Sequence, residues 1–280
     1  MSYALASTPY LVPPKFLHMT DSKHIACDLL VVSTDSFLAE AKVTISRLAT
    51  LGLSQRFDCA LTLGDAAVAI PGYRLLRRTR AGTWSSELRS CLEQLDKPYV
   101  FLWLDDCIPL SIGSSDEIVS LIDGAVKANA DYLRLNAIPP GQGPAGWPGV
   151  SQILPGENYR TSTVFCVWKR RSLLALLDDH ETAWEFEYRG SARSAIFDRF
   201  YASDSVNVNY VNLVVKGLID PRAEAILTRH GIDTSRLQRR RMNVKERFIH
   251  DARQLRAKLF QRVPWRMRQT LRETLRRGLR

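Results

Sequence analysis

Residues Tyr99 to Asp106 read Y-V-F-L-W-L-D-D, an apolar run that ends in two adjacent carboxylates. A run of this length, rich in aromatic and branched side chains, suits a strand buried on both faces of a sheet. Asp105 and Asp106 then stand at its carboxyl end, the edge of an open α/β sheet where ligands bind. Two acids at that edge could hold a divalent metal, and the metal could hold a diphosphate. The competing reading is a plain strand-end turn. Asp178-Asp179 is an internal control, because it closes a predicted helix and needs only to face solvent. Position separates the two pairs, since charges directly after a buried strand are costly to place.

The elements that would carry this edge can be read on either side of it. Asp28 to Thr34 suits a first buried strand, and Ser36 to Leu51 has helical spacing closed by Gly52. Asp58 to Leu63 and Tyr73 to Arg77 read as further strands. Thr83 can cap a helix over Trp84 to Leu95, which Asp-Lys-Pro stops just before the Asp-Asp strand. Ser114 with Glu117 is a capping box for a helix to Asn129, followed by a strand at Tyr132 to Asn136. Beyond it lie a strand at Thr163 to Trp168, a helix at Arg171 to Leu177, and a strand or hairpin at Val206 to Val215. Asp220-Pro221 starts a helix that Gly231 ends. This alternation predicts an α/β fold with a mostly parallel sheet flanked by helices. Pro139 to Pro155 reads as a mobile surface loop. Its G-Q-G-P-A-G matches the dinucleotide pattern formally, but no helix follows, so the match is rejected.

Composition bounds the class. The 280 residues are 45% hydrophobic, enough for one large core or one core plus an appendage, and the formal net charge is +10. From Arg236 to Arg280 there are 16 Lys+Arg against 3 acids, whereas the preceding residues carry 23 basic and 26 acidic side chains. The excess positive charge therefore lies in the tail. Five scattered cysteines with no C-x-x-C spacing predict neither a zinc site nor a disulfide framework and suit a reducing cytoplasm. The five histidines show no paired metal spacing. No apolar run approaches a membrane span, and the Pro-containing lead-in lacks a basic signal region.

The stretch W-S-S-E-L-R-S-C-L-E-Q-L-D-K-P-Y-V-F-L-W-L-D-D resembles the helix-strand-acid unit of bacterial glycosyltransferases with the GT-A nucleotide-sugar fold, in the polysaccharide-assembly group. Y-R-T-S-T-V-F-C-V-W-K-R-R-S-L-L-A-L-L and the later W-E-F-E-Y-R-G-S are similar to that group's acceptor-side half. The likeness spans about Asp28 to Ile219. It implies Asp106, with Asp105, as ligands of Mn or Mg and of the donor diphosphate, although the acids here are adjacent rather than spaced as D-x-D.

Such a transfer needs a base for the acceptor hydroxyl and neutralisation of the departing diphosphate. Glu185 and Glu187 are the candidates for the base, with Glu185 preferred on the resemblance, and Trp184 is the candidate sugar platform. Periodicity alone favours a bland alternative, an amphipathic strand with Trp184 and Phe186 inward. Arg189 and Arg193 could bind pyrophosphate, or serve in surface ion pairs. Asp35 and Asp65 follow the first two strands, where either could bind the nucleoside; Asp35 could equally be a cap.

The expected organisation is an N-terminal extension over residues 1–26, a GT-A-like catalytic domain over 27–235 and a basic amphipathic helical tail over 236–280. Within the tail, Phe248, Leu255, Leu259, Met267, Leu271, Leu275 and Leu279 imply two short helices separated at Pro264-Trp265. The tail could pack on the catalytic domain, lie on anionic lipid or bind nucleic acid; the last lacks a recognition fold. The resulting expectation is a cytoplasmic, peripheral, metal-dependent and inverting glycosyltransferase. Its donor would be a nucleotide-diphosphate sugar and its acceptor a glycan or lipid-linked sugar. A nucleotidyltransferase is the second enzyme reading, but V-V-S-T-D-S-F-L has no glycine for a phosphate loop. A non-enzymatic membrane- or nucleic-acid-binding module is the third.

Overall fold

The computed structural model describes residues 25–261 except 79–81, 138, 158 and 206. The expected N-terminal extension and the second tail helix fall almost wholly outside the described residues. The parallel half of the fold begins with β1 (Cys27–Val32), which leads through a 3-10 turn at Asp35–Phe37 into α1 (Leu38–Thr50). It continues with β2 (Asp58–Leu63), β3 (Tyr73–Arg77), α2 (Trp84–Leu92) and β4 (Tyr99–Leu104). Then come β5 (Cys107–Ile112), α3 (Ser115–Lys127), β6 (Tyr132–Arg134), β7 (Gly143–Pro144), β8 (Val150–Gln152), β9 (Cys166–Lys169) and α4 (Arg170–Leu176). The local signals explain several boundaries. Thr83 and Ser114 accept hydrogen bonds from the N–H groups of Ser86 and Glu117, and Gly52 closes α1 at φ +76°.

The main sheet has the order β3-β2-β1-β4-β9-β6, continuing through β10 (Phe200–Ser203) to β8 and β7. β1 pairs in parallel with both β2 and β4, and only β9 and β8 run against the common direction. It is thus the mostly parallel α/β sheet expected. Side chains alternate across it with period two. Leu29, Phe101 and Trp103 enter a core with α1 and α3, while Leu30, Val100 and Leu102 enter the opposite core with α2 and α4.

Two readings are corrected, and one strand was not foreseen. Pro139 to Pro155 is no simple loop, because β7 and β8 within it extend the sheet edge by antiparallel pairing. β5 was not anticipated; it pairs antiparallel with β11 (Val208–Asn212) in a separate two-stranded sheet. W-E-F-E is not a strand. Thr182 and Glu185 form a reciprocal capping box that starts α5 (Ala183–Glu185), followed by a π-helical turn at Phe186–Gly190 and α6 (Ser191–Arg193). Phe186 is buried, but Trp184 is 77% exposed.

The chain then forms the hairpin of β12 (Val214–Val215) and β13 (Leu218–Ile219), α7 (Pro221–Arg229) and α8 (Val244–Gln261). Asp220 accepts a hydrogen bond from the Arg222 N–H with Pro at the start of α7, and Gly231 follows at φ +69°. A third core beneath these elements gathers Ile108, Leu213, Ile219, Leu227 and Leu237.

Candidate active site

Because β1, β2 and β4 run in the same direction, their carboxyl ends meet along one edge. Asp105 and Asp106 form the turn between β4 and β5, and their backbone is held from three sides. The Asp105 N–H donates to the Val32 carbonyl at 3.3 Å, and the Thr44 hydroxyl of α1 donates to the Asp105 carbonyl at 2.6 Å. The Leu213 N–H donates to the Asp106 carbonyl at 2.9 Å, and the Trp103 indole spans the base of the turn to the Cys107 carbonyl. The turn is therefore a rigid platform, as a site built on strand ends requires.

Burial shapes its electrostatics. Desolvation lifts the Asp105 carboxyl to about 8; a Ser33 hydrogen bond opposes this, while Asp106 and Glu40 add repulsion. Desolvation also lifts Asp106 to about 6, against hydrogen bonds that favour its charged form; Glu40 repels it further and Arg239 attracts it. Glu40 is only 2% exposed and ion-pairs with Arg239 at 2.8 Å. Among the described residues, no three His, Cys, Asp or Glu side chains converge as a metal-binding group. The pair offers two carboxylates, a donor type that suits a hard divalent cation, and such an ion would need its remaining ligands from substrate phosphate and water.

Two clefts meet at this turn, sharing Leu104, Asp106 and Ala183. The smaller, about 180 Å³, is lined by the strand-end residues Ser33, Thr34 and Thr62, with Trp84, Arg78 and Glu87 opposite. Arg78 and Glu87 are paired at 2.5 Å, while the Arg78 Nε is buried without a partner among the described residues. The larger, about 530 Å³, extends past Cys107 and Thr163 to Trp184 and Glu187, with Asn212, Lys216 and His250 on its remaining walls. Glu187 projects from the π-helical turn. One of its oxygens, Oε1, accepts from the Thr163 N–H at 2.8 Å, the Thr163 hydroxyl at 3.0 Å and the Ser162 hydroxyl at 3.2 Å. Its Oε2 has no hydrogen-bond partner among the described residues.

The expected site residues thus divide. Asp105, Asp106, Trp184 and Glu187 share the connected clefts. Glu185 lines neither; its carboxylate closes the capping box with Thr182 and pairs with Arg189 at 3.5 Å. Hydrogen bonds from the Thr182 N–H and hydroxyl hold it below the usual carboxylate range, which weakens it as a base. Arg193 binds the buried Glu181 through two nitrogens and the Leu176 carbonyl, and Arg189 also lies 3.9 Å from Glu181. Neither arginine lines these clefts. Asp35 accepts from the N–H groups of Gly64, Asp65 and Ala66, clamping the connection after β2. Desolvation opposes its ionisation, but these three bonds prevail and hold its pKa low. Asp65 is exposed and lies outside both clefts. Glu40, Arg78, Trp84, Lys216, Arg239 and His250 were not anticipated. Glu40 alone left a local signal, a carboxylate on the face that Ala41, Thr44, Ile45 and Leu48 bury.

No protein-family model and no curated protein matches the chain. Solved structures give weak likenesses. A mannosyltransferase from Pyrobaculum calidifontis in complex with GDP-Man and Mn2+ is 10% identical, with 70% of this chain and 60% of that one covered and a TM-score of 0.46. S. aureus TarS 1-349 in complex with UDP-GlcNAc is 11% identical, with 65% and 57% covered and a TM-score of 0.44. A UDP-glucose pyrophosphorylase complexed with UDP-glucose is 7% identical, with 66% and 92% covered and a TM-score of 0.43. The chain thus spans under two thirds of the TarS fragment. At these values the likenesses bear on neither substrate nor mechanism.

Proposed function

We propose that the chain is a glycosyltransferase that moves a sugar from a nucleotide-diphosphate donor to a glycan or lipid-linked acceptor in bacterial surface-polysaccharide synthesis. One observation carries the reading: the desolvated Asp105-Asp106 turn joins two clefts, and Glu187 stands on the wall of the larger. In this reading the smaller cleft takes only the base end of the nucleotide, with Trp84 and Arg78 against it. Asp105 and Asp106 would hold Mn or Mg beside the diphosphate. When bound, that cation neutralises charge on the departing group.

The acceptor lies in the larger cleft with a ring face on Trp184. Glu187 Oε2 takes the proton of the acceptor hydroxyl as that oxygen attacks the anomeric carbon; Oε1 is fixed by its three donors and holds the carboxylate in place. The new carbon-oxygen bond forms as the bond to the diphosphate breaks, and the electron pair leaves with the nucleoside diphosphate. A single displacement of this kind inverts the anomeric centre. Of the two candidate bases, this reading therefore takes Glu187 over Glu185. The same reading places the enzyme on the inner face of the cell membrane, with the basic region 243–280 toward anionic lipid.

The test is a panel of nucleotide sugars with lipid-linked acceptors, and in parallel of nucleoside triphosphates with sugar phosphates, each with Mn and followed by chromatography of the products. A glycosyltransferase releases nucleoside diphosphate. Release of pyrophosphate from a nucleoside triphosphate and a sugar phosphate would establish the nucleotidyltransferase reading instead. Absence of both products, with no nucleotide binding, would leave the non-enzymatic module.

A further inference from the structure

α8 presents different chemistry on two sides. Val244, Phe248 and Leu255 are 73%, 74% and 60% exposed. At about 100° per residue, Phe248 and Leu255 fall about 40° and 20° round the helix from Val244, so the three form one stripe. Lys245 and Arg247 flank it on either side, each about 80° from its centre. Asp251 lies at the edge of the stripe, about 20° beyond Val244, and Arg222 of α7 pairs with both of its oxygens at 2.9 and 3.1 Å. His250 lies about 140° away from the stripe and lines the larger cleft with Asp106, Glu187 and Lys216. The Arg222 pair and the Arg240–Glu246 ion pair at 2.6 Å tie the start of α8 to the preceding elements.

An exposed apolar stripe flanked by cations is the pattern of a helix lying in a bilayer interface. Charge complementarity identifies the occupant as an anionic surface, because residues 262–280, which follow α8 in sequence, add seven arginines against one glutamate. We propose that α8 is the membrane-docking element and lies between an anionic bilayer and the larger cleft. The cleft mouth then stands within one helix diameter of the lipid headgroups, on the order of 10 Å. This rests on the glycosyltransferase reading for what enters the cleft and specifies the acceptor as a sugar carried on a lipid. The stripe enters the interface while His250 and Lys216 face the headgroup-borne acceptor.

The test uses the full chain with vesicles of phosphatidylcholine and phosphatidylglycerol at about 7:3, against phosphatidylcholine alone, in a flotation assay. Binding to the mixed vesicles is expected, falling with salt and falling at least tenfold in the double variant F248E/L255E. Both positions are exposed, so the substitutions leave the cores intact. Nucleoside diphosphate with Mn should stabilise wild type and double variant equally in a thermal melt. That control keeps the two readings separate: loss of nucleotide binding in both proteins defeats the proposed function, whereas unchanged flotation defeats only the docking role of α8.

All five cysteines lie in the described region and are buried, so a nitroxide can be attached selectively at an introduced surface cysteine. Labels at L255C and K216C should report depths in the acyl boundary and in the headgroup layer. A K216C label far out in water would overturn the geometry. Tight binding of duplex DNA without vesicle binding, or a dimer disrupted by F248E/L255E, would overturn the lipid assignment.

Discussion

Ionising Asp105 in the absence of a cation costs the native state free energy, and that cost has a definite pH dependence. Desolvation moves its carboxyl from 3.8 to about 8, against the Ser33 hydrogen bond and with help from Asp106 and Glu40. In the unfolded chain the group returns to about 3.9. Because its folded pKa is raised, its stabilising contribution is complete below the unfolded value and is lost as pH rises through the folded value. At about 1.36 kcal/mol per pH unit, the loss from about pH 5 to about pH 9 is on the order of 4 kcal/mol. Asp105→Asn keeps the shape of the side chain and abolishes this titration. Urea unfolding in EDTA at both pH values should therefore show the variant gaining on wild type by several kcal/mol as pH rises, the difference isolating this one group. Parallel stability curves for the two proteins would refute the buried, uncompensated carboxylate. The expected gain in stability with loss of metal binding would be the signature of a functional site held against the preference of the fold.

Glu187→Gln should lower sugar transfer at least about a hundredfold while nucleotide binding persists. Glu185→Gln should keep turnover and lower stability only slightly in urea unfolding, through a weakened helix cap; the reverse pattern would return the base to Glu185. Arg193→Ala leaves Glu181, whose side chain is 0% exposed, without its main partner, and should cost about 3–5 kcal/mol in urea unfolding. Arg189→Ala removes a side chain 56% exposed, and should cost less than about 1 kcal/mol. Equal losses in the two variants would show that burial of Glu181 does not govern the pair.

Elements that follow from local chemistry were legible in the sequence. β1, β2 and β4 announce themselves as apolar runs, and Thr83, Ser114, Asp220 and Gly231 mark helix ends through their own side chains or backbone freedom. What long-range pairing decides was not. β5 contains Pro109 and exists through pairing with β11 about a hundred residues later. β7 and β8 are stabilised at the sheet edge by β10, against a local sequence rich in glycine and proline. At Trp184 to Glu187, strand-like alternation competed with the Thr182-Glu185 capping box, and the box governs the structure. The position of the acid pair followed from its strand. The Glu40–Arg239 contact beside it joins residues 199 apart, a separation at which spacing carries no signal.

Mn binding followed by electron paramagnetic resonance, with and without a nucleoside diphosphate, tests the central claim most directly. In wild type, the free Mn signal should fall as protein is added, more strongly with the nucleotide present and more strongly at about pH 8 than at about pH 5.5, where protons compete for Asp105 and Asp106. Asp106→Asn should abolish this nucleotide-linked loss of signal while the protein remains folded. An Asp106→Asn variant that sequesters Mn and nucleotide as well as wild type does would contradict the assignment of the turn as the metal and diphosphate site.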